Sequence, residues 1–205
     1  MQSADVTQFS YHEAFQYRRL RRCADIVVAS IALLVAVPIL ALAVLAILLE
    51  DGRPVFFRQQ RVGRFGRLFT MYKLRTMTTR ACVDARKPSG NGDMRVTRVG
   101  RILRHTSLDE LPQFINVIRG EMSVVGPRPE MPFIVGSYER WQNLRLLAPP
   151  GITGLWQTTC RSTIPLDHPE ATQRDLDYIQ HASTSFDFTL IARTITAMLR
   201  ANGAF

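Results

Sequence analysis

Residues 106–130 read TSLDELPQFINVIRGEMSVVGPRPE and combine an acidic pair, a helical pattern and an arginine between two prolines. Ser107 and Glu110 have the spacing of a capping box, in which the serine caps the first helical turn and the glutamate reaches back. Asp109 and Glu110 would then lie at the positive end of a helix dipole, which favours ionised carboxylates at neutral pH. A purely structural cap is the alternative, since acidic residues are common at helix starts.

The rest of this stretch predicts one helix followed by an extended segment. The helix covers residues 108–119 and ends at Gly120, and Pro112 lies early enough in it to be tolerated. Arg128 follows between two prolines, which hold the backbone near extended geometry. We therefore predict that Arg128 is a pre-positioned clamp for an anion.

Basic residues precede the acidic pair along the chain. The strand pattern of MYKLRTM (71–77) places Lys73 and Arg75 on one face, which would aim two cations at one anion. Two solvated charges on an exposed sheet edge are the alternative. A short basic helix over residues 95–104 follows, so that Arg104 at its end should lie close to the acidic pair.

Two β-rich runs, over residues 55–59 and 68–77, are joined by a loop that contains two glycines. This pattern predicts a small antiparallel hairpin. Residues 80–94 are rich in Pro, Ser, Gly and Asn and predict a loop, which could cover a site or only connect two elements.

Residues 26–49 are apolar without a single charge and would form a helix of ~36 Å, enough to cross a bilayer core of ~30 Å. Pro38 at the midpoint removes a backbone donor and disfavours helical geometry before it. Both flanks are basic, which a simple spanning helix cannot reconcile with the positive-inside rule. We predict a re-entrant hairpin broken at Pro38, with both ends cytoplasmic. A signal peptide and a buried helix of a soluble protein are the alternatives.

The chain has 205 residues, 26 Lys plus Arg against 17 Asp plus Glu, and a formal net charge of +9. This charge points to polyanionic partners, namely nucleic acid, an anionic lipid surface or a phosphorylated substrate. Three scattered cysteines give neither a disulfide framework nor a metal-ligand spacing. We predict a basic arm (1–23), a membrane segment (24–50) and a cytosolic α+β domain (51–205) that is mostly helical with a small β-hairpin.

The C-terminal part predicts three further helices. One covers residues 138–147, and a second, acidic one covers residues 170–179, where Asp175 and Asp177 could position arginines or form a solvated face. Residues 188–200 are amphipathic, which suits either lying on a membrane or packing on the domain core.

Two carboxylates surrounded by basic residues beside a membrane segment suit phosphoryl chemistry at the bilayer surface. Cations neutralise phosphate oxygens, a carboxylate can bind Mg²⁺, and an ionised aspartate can act as a nucleophile. The four basic candidates for the phosphates are Lys73, Arg75, Arg104 and Arg128.

Four motifs occur in a fixed order: KLRTM (73–77), RxxSLDELPQ (104–113), GEMSVVGPRP (120–129) and PGITGLWQ (150–157). In them the chain resembles the bacterial sugar transferase family, the small monotopic polyprenyl-phosphate phosphoglycosyl transferases that start exopolysaccharides and related glycans. The resemblance covers roughly residues 18–200. It departs from the family at Val37, before the membrane proline, and at Cys160, where relatives often have glycine.

The resemblance implies a two-step reaction. Asp109 would attack the sugar-bearing phosphate of a UDP-sugar and release UMP, and polyprenyl phosphate would then accept the phospho-sugar. The resemblance further implies that Glu110 helps to hold Mg²⁺ and that the hairpin breaks at Pro38. It also implies that the arginines at positions 75, 104 and 128 contact phosphates, and that Gln157 and Arg161 contact the nucleotide.

The implied location is the cytoplasmic face of the bacterial inner membrane. The expected partners are a UDP-sugar, polyprenyl phosphate and membrane lipid, without nucleic acid, and the possibility of a homo-oligomer is left open. Two rival functions are a glycosyltransferase that releases UDP and a membrane-tethered nucleic-acid-binding module. The second would use residues 95–104 and 108–119 as a helix-turn-helix.

Overall fold

A computed structural model describes residues 19–79, 93–160, 163–166 and 168–199. Along the chain the elements are α1 (Arg19–Asp51), β1 (Phe56–Val62), β2 (Leu68–Leu74), α2 (Arg98–His105), α3 (Gln113–Arg119), β3 (Ser123–Val125), α4 (Pro132–Val135), β4 (Gly151–Thr153), α5 (Leu155–Thr159), α6 (Pro169–His181) and α7 (Thr184–Leu199). Short 3₁₀ helices cover Arg64–Gly66, Leu108–Glu110 and Gln142–Leu147. The predicted α+β class, mostly helical with a small β-hairpin, is confirmed, and the structure contains a second small sheet as well. Most of the predicted loop at residues 80–94 lies outside the described residues.

The predicted hairpin is confirmed with slightly different bounds. Strands β1 and β2 pair antiparallel, from Phe56 opposite Leu74 to Val62 opposite Leu68. Alternate residues of β2 point to opposite faces, and Phe69 and Met71 are buried in the core. Strand β2 ends at Leu74, and the amide of the next residue, Arg75, still donates to the Val55 carbonyl at 2.8 Å.

A second, two-stranded sheet was not predicted from the sequence. Strands β3 and β4 pair in parallel, with Ser123 opposite Gly151. The amide of Gly126 donates to the carbonyl of Thr153 at 2.8 Å, and the amide of Gly151 donates to the carbonyl of Pro127 at 2.8 Å. The GPRP and PGITG motifs therefore lie backbone against backbone.

Gly126 tests this contact between the two motifs. A Cβ at this position would lie 2.4 Å from the carbonyl oxygen of Pro149. We expect Gly126→Ala to lower the free energy of unfolding by about 3 kcal/mol, because backbone rather than a flexible side chain must move. The control is Gly136→Ala, whose Cβ would have its nearest neighbour at 3.4 Å and should cost less than about 0.5 kcal/mol. Denaturant unfolding in detergent measures both, and equal losses would contradict the prediction.

Helix α1 continues through Pro38, so the predicted break into two helices is not confirmed. A proline removes one internal hydrogen bond, and a long apolar helix can keep the remaining bonds on either side of it. Within the described residues, Arg21–Asp51 is the one stretch whose length and composition would allow it to cross a membrane. Its middle exposes large apolar side chains, including Leu34, Val35 and Leu42.

The first turns of α1 are bonded to the globular part of the chain. The buried carboxylate of Asp25 accepts hydrogen bonds from the Ser123 hydroxyl at 2.9 Å and from the Val124 amide at 3.0 Å. Arg22 donates to the carbonyl of Ile118 at 2.7 Å, near the C-terminus of α3. A buried carboxylate satisfied in this way fixes the start of α1 against β3 and α3.

The last turn of α1 is bonded to the same globular part. The Glu50 carboxylate accepts from the amides of Arg98 and Val99 at 2.7 and 2.9 Å, so it caps the N-terminus of α2. Arg75 donates to the Asp51 carbonyl at 3.0 Å and forms an ion pair of 3.1 Å with the Asp51 carboxylate. Both ends of the apolar helix are therefore attached to one domain.

The main core gathers apolar residues from most of the elements, among them Ala29, Met71, Val117, Tyr178 and Leu190. Helix α7 contributes Leu190 to it while Phe188 and Ile195 remain exposed. The two alternatives for this segment were lying on a membrane and packing on the domain core. One face of α7 packs on the core.

The predicted helix over residues 108–119 is wrong in its first half. Residues 108–110 form a 3₁₀ turn, and α3 begins only at Gln113, after Pro112. Gly120 ends α3 with a left-handed φ of 83°, as predicted. Asn116 of α3 is fully buried and bonds to the Thr70 carbonyl of β2 at 2.7 Å. The continuous recognition helix needed by the helix-turn-helix alternative is therefore absent from this stretch.

Candidate active site

The turn that carries the acidic pair is not the predicted capping box. Ser107 has a left-handed φ of 56°, and its side chain makes no capping hydrogen bond. Its amide instead donates to the Arg104 carbonyl at 3.1 Å, and its carbonyl accepts from the Glu110 amide at 3.2 Å. A left-handed serine costs about 1–2 kcal/mol, and such strain is concentrated at functional sites. The turn leaves Asp109 and Glu110 each only 8% exposed.

Glu110 is held by two cations that come from different elements. Lys73 of β2 donates to its Oε1 at 2.9 Å. Arg128 approaches as a fork, with Nη2 at 2.6 Å from Oε1 and Nη1 at 3.2 Å from Oε2. A bidentate arginine and a lysine together fix the position of this carboxylate.

Asp109 has no such partner. Within the described ranges its carboxylate makes no hydrogen bond and no ion pair, although the charges of Lys73, Arg104 and Arg128 act on it. Burial raises the pKa of Asp109, and the neighbouring charge of Glu110 raises it further, while the three cations oppose the rise. The predicted helix dipole is not present, because residues 108–110 form a 3₁₀ turn rather than the start of a long helix.

The structure brings three of the four predicted phosphate-binding residues to the acidic pair. Arg104 lies near Asp109 and donates from Nε to the Thr76 hydroxyl at 2.8 Å. Lys73 and Arg128 meet on Glu110. The guanidinium of Arg75, in contrast, is bonded to the end of α1 rather than to the acidic pair.

The environment also changes the pKa of Lys73. Burial lowers it, and the repulsion from Arg128 adds to this, while the Glu110 carboxylate opposes the change. Burial therefore acts on the pKa of Lys73 and on that of Asp109 in opposite directions.

Of the two residues predicted to contact a nucleotide, Gln157 makes no hydrogen bond to this cluster among the described residues. Gln157 lies on α5, where its Nε2 donates to the Ile152 carbonyl at 3.3 Å. Its buried Oε1 has no hydrogen-bond partner among the described residues. Arg161 lies outside the described residues.

The carboxylates of Asp109 and Glu110 are the type of oxygen ligand that Mg²⁺ binds, but they are only two. In the part of the chain that the structure describes, no group of three or more His, Cys, Asp or Glu side chains could hold a metal. Mg²⁺ is commonly bound by one or two carboxylates together with substrate phosphates, so the acidic pair satisfies the protein's share of that arrangement. Glu110 would have to release one of its two cations to take part.

Two buried arginines beside the site were not predicted as functional. Arg61 of β1 donates to the Pro129 carbonyl at 3.1 Å, and Arg145 donates to the Arg128 carbonyl at 2.8 Å. Arg145 also pairs with Asp175, so one of the two acidic residues predicted to position arginines does so. The other, Asp177, has its Oδ2 3.8 Å from Nη1 of Arg174, whose side chain is exposed.

Taken together, the site holds the Glu110 carboxylate in place and leaves the Asp109 carboxylate without a hydrogen bond among the described residues, with cations around it. An unbonded carboxylate is free to approach an electrophile, while the surrounding cations would stabilise negative charge that develops on phosphate oxygens. Such a site suits transfer of a phosphoryl group.

Comparison with known proteins agrees with this geometry. The chain is 38% identical over 207 residues to the galactosyl transferase CpsE of Streptococcus agalactiae, which covers 93% of the chain and 45% of that relative. It is 39% identical over 196 residues to the UDP-glucose:undecaprenyl-phosphate glucose-1-phosphate transferase of Caulobacter vibrioides, covering 90% of the chain and 72% of that relative. It is 36% identical over 200 residues to the exopolysaccharide production protein ExoY of Rhizobium meliloti, covering 90% of the chain and 88% of that relative.

The chain thus spans less than half of the length of some relatives and most of the length of others. A profile of the bacterial sugar transferase family matches residues 16–201, a range that contains α1, both sheets and the acidic pair. The chain belongs to the bacterial sugar transferase family.

Proposed function

We propose that this chain transfers a sugar phosphate from a UDP-sugar to polyprenyl phosphate, as the first membrane step of exopolysaccharide or related glycan synthesis. The names of relatives support the reaction class, since one is a glucose-1-phosphate transferase and another an exopolysaccharide production protein. The products are polyprenyl-diphospho-sugar and UMP.

In the first step, an Asp109 carboxylate oxygen attacks the phosphorus that bears the sugar. The bond from this phosphorus to the bridging oxygen breaks, and that oxygen leaves with UMP. The product on the protein is an acyl phosphate that carries the sugar. Arg104 and Arg128 lie where they can stabilise the charge that develops on the phosphate oxygens.

In the second step, a phosphate oxygen of polyprenyl phosphate attacks the same phosphorus. The acyl phosphate bond breaks, which forms the new diphosphate and returns Asp109 to its carboxylate form. No net proton or electron is exchanged with a further reactant, so the two steps balance with the two substrates alone.

The difference between the two carboxylates carries this proposal. Glu110 is bonded to Lys73 and Arg128, whereas Asp109 is buried beside them without a hydrogen bond among the described residues. A nucleophile must be able to move onto phosphorus, and a carboxylate fixed by a bidentate arginine cannot do so without losing that pair. The contacts therefore favour Asp109 as the nucleophile and Glu110 as the group that orients the cations.

We include Mg²⁺ in the proposal as an ion that Glu110 would hold together with the diphosphate of the substrate. When bound, it would neutralise charge on the diphosphate. Lys73 and Arg128 lie on Glu110 beside the nucleophile, and the cation that Glu110 releases to Mg²⁺ would be free to bind a phosphate oxygen of the substrate.

The proposed topology places both ends of α1 on the cytoplasmic side of the inner membrane. A straight helix from Arg22 to Asp51 would separate its ends by ~44 Å. Both ends are nevertheless bonded to one domain, through Asp25 at the start and Glu50 at the end. Cysteines placed near residues 20 and 53 should react with the same membrane-impermeant reagent from the cytoplasmic side, and labelling from opposite sides would contradict re-entry.

The pKa directions predict a bell-shaped dependence of kcat/KM on pH. Attack requires ionised Asp109, whose pKa is raised, so activity should rise with pH through a limb above the ordinary aspartate range. Loss of the Lys73 charge, whose pKa is lowered, should reduce activity on the alkaline side below the ordinary lysine range. In Lys73→Arg the charge persists at high pH, so the alkaline limb should move upward while the acid limb stays. A profile of Lys73→Arg that matches the wild type would contradict the prediction.

Product analysis tests the proposed function. Purified protein in detergent is incubated with a panel of UDP-sugars, polyprenyl phosphate and Mg²⁺, and the released nucleotide is identified. UMP together with a polyprenyl-diphospho-sugar is the expected result. UDP would show that only the sugar moves and would overturn the proposal.

Duplex DNA added to the same protein, at several salt concentrations, tests the expectation that it does not bind nucleic acid.

A further inference from the structure

The segment Pro127–Glu130, which carries Arg128, is held by its main chain in an unusual way. Its four consecutive carbonyls each accept a hydrogen bond from outside the segment. The donors, in order, are the Gly151 amide at 2.8 Å, Arg145 Nη2 at 2.8 Å, Arg61 Nη1 at 3.1 Å and the Val62 amide at 2.9 Å. Two of the four donors are therefore side-chain guanidinium groups.

The prolines explain why side chains are needed here. Proline has no backbone N–H, so a segment with prolines on both sides of Arg128 can form few ladder bonds of its own. Its carbonyls still require donors when they are buried. The guanidinium group offers several N–H donors in a rigid plane, which allows one side chain to satisfy a carbonyl and an anion together.

Each of the two guanidinium groups has its own carboxylate. Arg145 is 3% exposed and pairs with Asp175, which is 1% exposed, and it also donates to the Tyr138 hydroxyl. Arg61 lies 3.6 Å from Glu130. Buried ion pairs often contribute little net stability, because desolvation offsets their attraction. A positional role is the better account of this network, since both arginines end on adjacent carbonyls of one catalytic segment.

We propose that Arg61 and Arg145 are positioning residues, which hold the Pro127–Glu130 segment so that the Arg128 guanidinium meets Glu110 beside Asp109. Arg145 acts from the 3₁₀ helix Gln142–Leu147 and is fixed by Asp175 of α6. Neither arginine needs to touch the substrate. The catalytic part of this inference rests on the proposed function, whereas the structural part does not.

Arg145→Lys tests the positioning role, because lysine keeps the charge opposite Asp175 but cannot bond Asp175, Tyr138 and the Arg128 carbonyl together. Arg64→Lys is the matched control, since Arg64 donates from Nε to the Leu147 carbonyl at 2.8 Å in the same 3₁₀ helix. We expect Arg145→Lys to lower kcat/KM roughly 100-fold per folded molecule, as a small misplacement of a catalytic group can. Arg64→Lys should retain activity within about threefold.

A double-mutant cycle separates positioning from general damage. In an Arg128→Lys background, Arg145→Lys should cost less than about threefold further, because the group that it positions has already been removed. Losses of equal fold in both backgrounds would overturn the inference. So would wild-type activity of Arg145→Lys.

Hydrogen–deuterium exchange provides a readout that does not depend on turnover. In Arg145→Lys, the peptide that contains the Arg128 and Glu130 amides should exchange faster, while peptides from β1 and α3 should match the wild type. Unchanged exchange at this peptide would overturn the positioning role even if the protein turns over UDP-sugars. If the wild type does not turn over UDP-sugars but the exchange changes as expected, the proposed function fails and the positioning role stands.

Discussion

Replacing Asp109 with asparagine should lower kcat by a factor on the order of 10⁴ or more, because the amide cannot form the acyl phosphate. The substitution keeps the size of the side chain and leaves the bonds between Glu110, Lys73 and Arg128 in place. Turnover per folded molecule, with UMP release as the readout, measures the effect.

The same variant should not be destabilised, which distinguishes a catalytic role from a structural one. Burial and the Glu110 charge raise the pKa of Asp109, so that a neutral side chain should be accepted at least as well in the folded state. The melting temperature in detergent should therefore equal or exceed that of the wild type. Asp109→Asn with wild-type turnover would show that Asp109 is not the nucleophile.

Replacing Glu110 with glutamine should affect stability and activity together. Lys73 and Arg128 would both lose the charge that compensates their burial. Breaking a buried pair by removal of one partner typically costs about 3–5 kcal/mol, and we expect a loss of this order in the free energy of unfolding. Activity should fall roughly 100-fold or more, because Arg128 would no longer be fixed beside the nucleophile.

Glu139→Gln is the control for this substitution. Glu139 also accepts a hydrogen bond, from Trp141 Nε1 at 2.8 Å, but it is exposed. It should change the free energy of unfolding by less than about 0.5 kcal/mol. If Glu110→Gln were as stable as this control, the two cations would not depend on Glu110 in the way that the contacts indicate.

Patterns with a regular period predicted the fold well. The apolar run of α1 and the alternating pattern of β1 and β2 each extend over many residues. A single irregular residue therefore does not hide either pattern. Pro38 shows the limit of this reasoning, since a local rule predicts a break where the long helix continues. The β3–β4 pair could not be predicted, because three-residue strands carry no period of their own.

The site was predicted in composition but not in every contact. Lys73, Arg104 and Arg128 approach the acidic pair as the motifs indicated. Arg75 does not, because the end of α1 provides a competing carboxylate. Serine is a residue type that commonly caps helices. Ser107 nevertheless makes no capping hydrogen bond, and its backbone is left-handed in the turn between α2 and the acidic pair.

The buried arginines that hold the Pro127–Glu130 segment illustrate what a sequence does not contain. Arg61 reaches a carbonyl 68 positions away, and Arg145 reaches one 17 positions away. Neither distance belongs to a helical or strand repeat, and an arginine alone does not show whether it will bind substrate or main chain. Only the packed structure identifies the carbonyls as their partners.

The covalent intermediate is the central claim, and peptide mass spectrometry tests it most directly. The wild-type protein is incubated with UDP-sugar and Mg²⁺ without polyprenyl phosphate, quenched and digested. We predict a sugar-phosphate adduct on Asp109, absent from Asp109→Asn and discharged when polyprenyl phosphate is added before the quench. Product formation by the wild type without any adduct, or an adduct on another residue, would contradict the account.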